Sequence, residues 1–276
     1  MTLSAFQKFS THIWSAPHSA ETWVRISLPY ADIKCILDRE KANRTPTTIT
    51  AIIATIFGKT ILKHPELTRY VSNKKIKHSN NHSVFITTAF KDHNRWDLGG
   101  INIPVTESMS LTDISAQIRL KSSALKHHKD TQYKRFTRMM HTLPNAIIRL
   151  VMPLFKVVLT HYGDVLEKLG IPGNRFGSIM ITPLHQFGVD TAKIPLHRFG
   201  TASFLIAICK PYWSVSETSN EKWLPLDITF DHRVIDGQSS MGIVRDVFKV
   251  LKQLKTGHLE LSKSTASVNL SLRESV

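Results

Sequence analysis

Cysteine is nearly missing from this chain: 276 residues contain two, Cys35 and Cys209. Two thiols cannot supply a disulfide framework or a cysteine-rich zinc site, and they point to a reducing, cytoplasmic setting. Acidic residues are scarce beside basic ones, 21 Asp and Glu against 36 Lys and Arg, for a formal net charge of +15. Long uncharged apolar runs are also lacking. The most hydrophobic window, Leu143–Leu159, carries Arg149, Pro153 and Lys156, which argues against a membrane span and for a buried or interfacial helix with peripheral membrane contact as an option. The first thirty residues show no basic segment followed by an apolar run, so no secretory signal is expected. No repeat or low-complexity linker divides the chain.

What is present is the composition of a folded core, 42% hydrophobic and 21% charged. The basic excess gathers in Asn73–His78 and in Arg119–Arg138, where seven Lys and Arg face the single Asp130. Such a surface attracts polyanions: nucleic acid, anionic lipid or a phosphate-bearing cofactor. No base-reading motif accompanies the charge, and Trp96 and Trp213 read as core or interface residues, so nucleic acid is not the expected partner. His127 and His128 have no carboxylate or cysteine at ligand spacing, and no metal is assigned.

Periodicity alternates between strand and helix. WVRISLPY reads as a strand opening at Trp23, and TPTTITAIIATIFGKTILKHPEL as a long helix capped by Thr47 or Thr48 and stopped at Pro65. Strands follow around Val84–Phe90 and Ile101–Val105, then a helix LTDISAQIRLKSSALK with Thr112 as its cap. SIMIT, TASFLIAICKPYW and LPLDITF are three further strand candidates. VRDVFKVLKQL closes the fold as a helix with Met241, Val244, Val247 or Phe248, and Leu251 on one stripe. Interleaved strands and helices indicate an α/β sandwich with a mixed sheet.

The most chemically loaded stretch is FDHRVIDG, Phe230–Gly237. Alternation through LPLDITFDH puts Leu226, Ile228, Phe230 and His232 on one side and Asp227, Thr229 and Asp231 on the other. His232 thus continues an apolar face, and desolvation there favours the neutral imidazole that a general base requires. Asp236 can order that ring, or lock the loop by pairing with an arginine. The competing reading is a buried histidine bonded to a backbone carbonyl, with Asp236 as a helix cap. Arg233 is expected to pair with a local carboxylate, and His185 and His197 to lie at the surface.

FDHRVIDG resembles the D-H-R-x-x-D-G signature of the acyltransferase core of 2-oxoacid dehydrogenase complexes, and the H-x-x-x-D-G of the related chloramphenicol acetyltransferases. TPTTITAIIATIFGKTILKHPEL, LGGINIPVTESMSLTDISAQI and GSIMITPLHQFGV resemble three other segments of that family, in the family's order, between about Trp23 and Leu254. The resemblance implies a two-layer chloramphenicol acetyltransferase-like fold and a coenzyme A-dependent acyltransferase. It puts the base at His232, a hydroxyl donor to the tetrahedral oxyanion at Thr182, and the loop-holding aspartate at Asp236. It further implies a homotrimer with His232 and Thr182 contributed by different chains, and acyl-coenzyme A as substrate, its phosphates attracted by lysine and arginine.

The chain departs from that family in three ways. No lipoyl or subunit-binding domain precedes the core, so the chain is expected to carry no lipoyl group and to pass the acyl group to a small molecule or a separate lipoyl-bearing protein. The span between LTDIS and GSIMIT is about 35 residues longer than in the complex-forming cores, an inserted basic and apolar helical stretch at about 126–172. After Thr182 the family's Asn-Leu-Gly becomes Pro183-Leu184-His185. These features are similar to free-standing single-domain relatives. The expected organisation is an N-terminal segment 1–21, a catalytic domain 22–261 and a polar tail 262–276. The alternative is a catalytically inactive relative that binds an anionic partner.

Overall fold

A computed structural model describes residues 20–72, 75–79, 82–92, 95–127, 142–150, 177–196, 202–215 and 220–257. Strand β1 (Glu21–Pro29) leads directly into helix α1 (Tyr30–Ala42), and helix α2 (Ile49–Ile61) follows. A short 3-10 helix (Pro65–Thr68) comes next, then β2 (Arg69–Ser72) and β3 (Lys75–His78), which pair as a separate ribbon. The chain continues through β4 (Ser83–Asp92), β5 (Arg95–Pro104) and helix α3 (Leu111–Lys126). It ends with β6 (Ile179–Pro183), β7 (Phe204–Ile208), β8 (Tyr212–Val215), β9 (Asn220–Asp231) and helix α4 (Gly237–Thr256).

Seven strands make one mixed sheet in the order β1-β9-β7-β6-β4-β5, with β8 on β9 beyond the end of β7. The pairs β4–β6 and β6–β7 are parallel, and the others are antiparallel. Register aligns one apolar rung across six strands: Ile101, Ile86, Ile181, Ile206, Ile228 and Val24. Alternation sends that rung and its like-facing neighbours to the helix layer, where they join one continuous core.

Helix α2 sits at the centre of that layer. It is apolar nearly all round, and every residue from Ala51 to Ile61 is buried, as expected for a helix enclosed by a core. The β-branched residues that weaken its propensity are accommodated by burial. Thr55 and Thr60 donate their hydroxyls back to the Ala51 and Ile56 carbonyls, and Thr48 caps the helix by accepting from the Ala51 amide at 3.1 Å. His64, just beyond the helix, has Nδ1 2.8 Å from Glu66 Oε1 and Nε2 2.9 Å from Asp246 Oδ2, tying the 3-10 turn to α4.

Several expectations need adjustment. Helix α1 is additional: its buried stripe is narrow (Ile33, Ile36 and Glu40, whose carboxylate accepts from Arg39 and Thr45), and it starts after Pro29 with no side-chain cap. Helix α3 is capped by Ser110, not Thr112, through a reciprocal box in which Asp113 accepts from the Ser110 amide and Ser110 Oγ from the Asp113 amide. The single strand expected in TASFLIAICKPYW is two, β7 and β8, and β5 begins at Arg95, ahead of its expected start. The buried stripe of α4 is Ile243, Val247, Val250, Leu251 and Leu254, while Met241 and Phe248 face outward. Of the Leu143–Leu159 window only 143–150 is described, with residues 145–150 helical and Ile148 buried. Most of the basic stretch, and His197, lie outside the described residues. Among the described residues no helix is long and apolar enough to cross a membrane.

Candidate functional site

Strand β9 carries the loaded stretch into a tight turn. Asp231, its last residue, is buried, and its amide donates to the Ser203 carbonyl at 3.0 Å. Its carboxylate holds Arg233 through three bonds, Nε at 2.9 and 3.1 Å and Nη2 at 2.6 Å, and accepts the Arg233 amide at 3.0 Å. That hydrogen bonding to Asp231 raises the Arg233 pKa. Arg233 is therefore a strut of the turn. Val234 and Ile235 point into the core and anchor it from below.

His232 sits at the head of this turn. Its amide donates to the Ala20 carbonyl at 2.9 Å, which fixes the backbone, but its side chain is exposed. The expected burial of His232 does not hold in a single chain: the strand ends at Asp231, and the turn lifts the next residue off the sheet. The ring still lies 6.2 Å from Phe230, at the end of an aromatic series through Phe204 to Phe57. Asp236 is the N-cap of α4, accepting from the Ser239 amide at 2.7 Å, while its carbonyl accepts the Ser240 hydroxyl at 2.7 Å. The Ser239 bond holds its carboxyl below the ordinary range, with a minor contribution from nearby His232. Asp236 is thus the helix cap of the competing reading, while the arginine of the turn, Arg233, pairs with Asp231 instead.

Thr182 lies on β6, half-buried on the sheet face opposite the helices, and its hydroxyl has no partner among the described residues. The rung it belongs to runs Thr182, Ala207, Asp227, Arg25. Five residue steps lead from Asp227 to His232, roughly 16 Å of strand, and two strand spacings of about 5 Å each separate β9 from β6. Within one chain, the hydroxyl and the imidazole stand at opposite ends of the sheet.

Asp227 is a polar hub that the sequence reading passed over. Its fully buried carboxylate accepts Arg25 Nε at 2.6 Å and Nη2 at 2.8 Å, the Thr191 hydroxyl at 2.8 Å and the Ala192 amide at 2.8 Å, with Cys209 Sγ at 3.5 Å. Burial pushes the Asp227 carboxyl up, but the Arg25, Ala192 and Thr191 bonds together draw it below the ordinary range. The hub pins the segment that returns from the Thr182 strand. Gly188, at φ +73, reverses the chain after the 3-10 turn His185–Phe187, a left-handed conformation that only glycine adopts without strain. The available signal was three polar residues, Asp227, Thr229 and Asp231, alternating with apolar ones in a strand that is buried on both faces. Cys209 is no nucleophile: burial first, and Asp227 beside it, push its thiol up to about 11.

His185 differs from its expected surface position. It is half-buried, its Nδ1 is shut off from solvent without a partner among the described residues, and burial lowers its pKa. Among the described residues no three His, Cys, Asp or Glu side chains are grouped to hold a metal.

No protein-family model and no curated protein matches the sequence. Solved structures do match. The truncated catalytic core of the 2-oxoacid dehydrogenase multienzyme complex from Thermoplasma acidophilum aligns with a TM-score of 0.59 at 17% identity, covering 85% of this chain and 87% of that one. The dihydrolipoamide acetyltransferase of Azotobacter vinelandii, studied for the catalytic roles of a serine, a histidine and an asparagine, aligns at 0.58 and 12% identity, over 86% and 83% of the two chains. A chloramphenicol acetyltransferase aligns at 0.50 and 11% identity, over 91% and 96%. The chain has the chloramphenicol acetyltransferase-like fold, a mixed seven-stranded sheet flanked by helices, which it shares at low identity with the catalytic cores of 2-oxoacid dehydrogenase complexes.

Proposed function

We propose that this protein is a coenzyme A-dependent acyltransferase whose site forms between copies of the chain, with His232 from one and Thr182 from the next. The observation that carries this reading is the placement of the two residues at opposite ends of one sheet, Thr182 on a strand and His232 in a turn braced by Asp231 and Arg233, each with a side chain that has no hydrogen-bond partner among the described residues. A threefold ring brings one end of each copy against the other end of its neighbour. In that arrangement His232, exposed in a single chain, is enclosed by the partner subunit. It takes the proton from the coenzyme A thiol or from the acceptor hydroxyl. The resulting sulfur or oxygen nucleophile attacks the carbonyl of the acyl thioester, and the Thr182 hydroxyl donates to the oxyanion. The tetrahedral intermediate then breaks its C–S bond to the donor thiol, and the His232 imidazolium returns the proton to that departing thiolate. Asp236 acts indirectly, by fixing the start of α4 and so the His232 loop.

Spacing supports the assignment. In the Azotobacter enzyme the asparagine stands four residues after the histidine, as Asp236 does after His232, and the serine stands about fifty residues before it, as Thr182 does here. The positive charge of the chain suits a substrate bearing a diphosphate and a further phosphate.

The test is thiol release from a panel of acyl-coenzyme A thioesters, with and without acceptors, alongside light scattering for the assembly state. His232→Ala and Thr182→Ala each abolish or strongly reduce turnover while the trimer persists. Co-refolding the two variants in equal amounts restores about a quarter of wild-type activity, because about one interface in four then combines an intact histidine with an intact threonine. A clean monomer with full activity, or a mixture as inactive as its parents, refutes the shared site.

A further inference from the structure

His185 opens the 3-10 turn after β6, three residues beyond Thr182, and the Leu184 amide pins that turn to the Ile208 carbonyl of β7 at 2.9 Å. Three residues of chain span at most about 10 Å, so the ring belongs to the same end of the sheet as the Thr182 hydroxyl. Its two nitrogens have unequal surroundings. Nδ1 is closed off from solvent and has no hydrogen-bond partner among the described residues, whereas the ring as a whole is only half-buried, which leaves Nε2 as the nitrogen outside that enclosure.

The protonation state follows from this geometry. Burial is the cause that lowers the His185 pKa, and it favours the neutral ring. A neutral imidazole carries a single N–H. On Nδ1 that proton would be a buried donor without an acceptor, whereas on Nε2 it leaves only an unpaired lone pair inside, which is the smaller cost. Accepting a second proton on Nδ1 would bury a charge with no partner, so the ring is poorly suited to act as a base. Local packing makes His185 a neutral donor with its N–H on the open side.

We propose that His185 is a further residue of the transfer site, an Nε2–H donor that hydrogen-bonds the carbonyl oxygen of an acyl thioester beside the Thr182 hydroxyl. The proposal rests on the acyltransferase reading above and deepens it: the Thr182 half of the interface supplies two neutral donors, and the partner's half supplies the base. A preorganised donor of this kind is worth about a hundredfold in turnover, read mainly in kcat when the bond strengthens as the oxyanion forms.

Two measurements on the full chain test it. Long-range proton–nitrogen NMR of the nitrogen-15 histidine-labelled protein should show His185 protonated on Nε2 and bare on Nδ1 at pH 7, with its Nε2 proton shifted by saturating acetyl-coenzyme A. A His185 signal of the Nδ1–H tautomer or of the cation, or one unmoved by acetyl-coenzyme A, overturns the proposal. In kinetics, His185→Phe should lose about a hundredfold in kcat with the trimer and thermal midpoint retained, and His185→Gln, whose amide can occupy the Nε2 position, should recover most of it. A wild-type rate in His185→Phe while His232→Ala is inactive condemns the role of His185 alone. Absence of thioester turnover in the wild type condemns the parent reading.

Discussion

Replacing Asp227 by asparagine should destabilise the protein far more than a surface charge change would. The native carboxylate is fully buried and receives four hydrogen bonds of 2.6–2.8 Å from Arg25, Thr191 and Ala192. Asparagine keeps one oxygen and turns an NH2 toward groups that are themselves donors, so at least one of them loses its acceptor and Arg25 loses its counter-charge. Breaking a buried ion pair costs about 3–5 kcal/mol, but the Arg25 side chain is 35% exposed and regains water, so the low end of that range applies. About 3 kcal/mol with a urea slope of about 3 kcal/mol/M lowers the unfolding midpoint by about 1 M. The pH dependence has a definite sign. The folded carboxyl lies below its ordinary value, so its contribution is full above the unfolded pKa of about 3.9 and is lost as pH falls through the folded value. The gap between wild type and variant should therefore narrow below about pH 4. The double change Arg25→Met with Asp227→Leu should recover part of the loss, though Thr191 and Ala192 remain without their acceptor. A midpoint shift below about 0.3 M at pH 7, or a gap that widens in acid, refutes the reasoning.

The thiols should differ sharply. In the native protein an alkylating reagent at pH 8 should modify exposed Cys35 and spare buried Cys209, with both reacting in urea, and native alkylation of Cys209 at the rate of Cys35 would contradict the burial of its thiol, pushed up to about 11. His64→Ala removes the tie between the 3-10 turn and α4 and should cost about 1–2 kcal/mol in urea unfolding at pH 7. Asp246 is held below the ordinary carboxylate range by its bond to His64, so the effect of Asp246→Asn should fade as pH falls below about 4, and a pH-independent effect would count against the tie.

Elements with one dominant periodicity could be read from the sequence, and those whose placement depends on neighbours could not. Helix α2 with its Thr48 cap, the strands β4 and β6, and β9 followed by α4 carry their own apolar pattern and stop signals. Helix α1 escaped because its buried stripe is narrow and its face is set by contact with α4 and β9. At the site, the turn around His232 and the capping of α4 were legible in FDHRVIDG, because a strand must end and a helix must begin there. The exposure of the ring was not legible. Alternation predicts a face only while the strand lasts, and Asp231 ends it one residue too soon. Asp227 was hidden for the opposite reason. A carboxylate on the second face of a strand suggests solvent until the segment carrying Thr191 and Ala192 is seen to fold back over it.

Strand β9 carries Asp227, which lies in register with Thr182 two strands away, and the segment leading to His232 in one uninterrupted run of twelve residues, so their separation is a matter of integer arithmetic. Inserting or deleting one residue between Asp227 and Phe230 would exchange inward and outward faces for part of the strand, putting carboxylates into the helix layer. A two-residue change would preserve the faces yet displace His232 by about 7 Å relative to Asp227. Loops on either flank are free of that quantisation. Variation in what this sheet accepts at its ends is thus confined to the connecting segments, while the length of β9 acts as a fixed gauge between them.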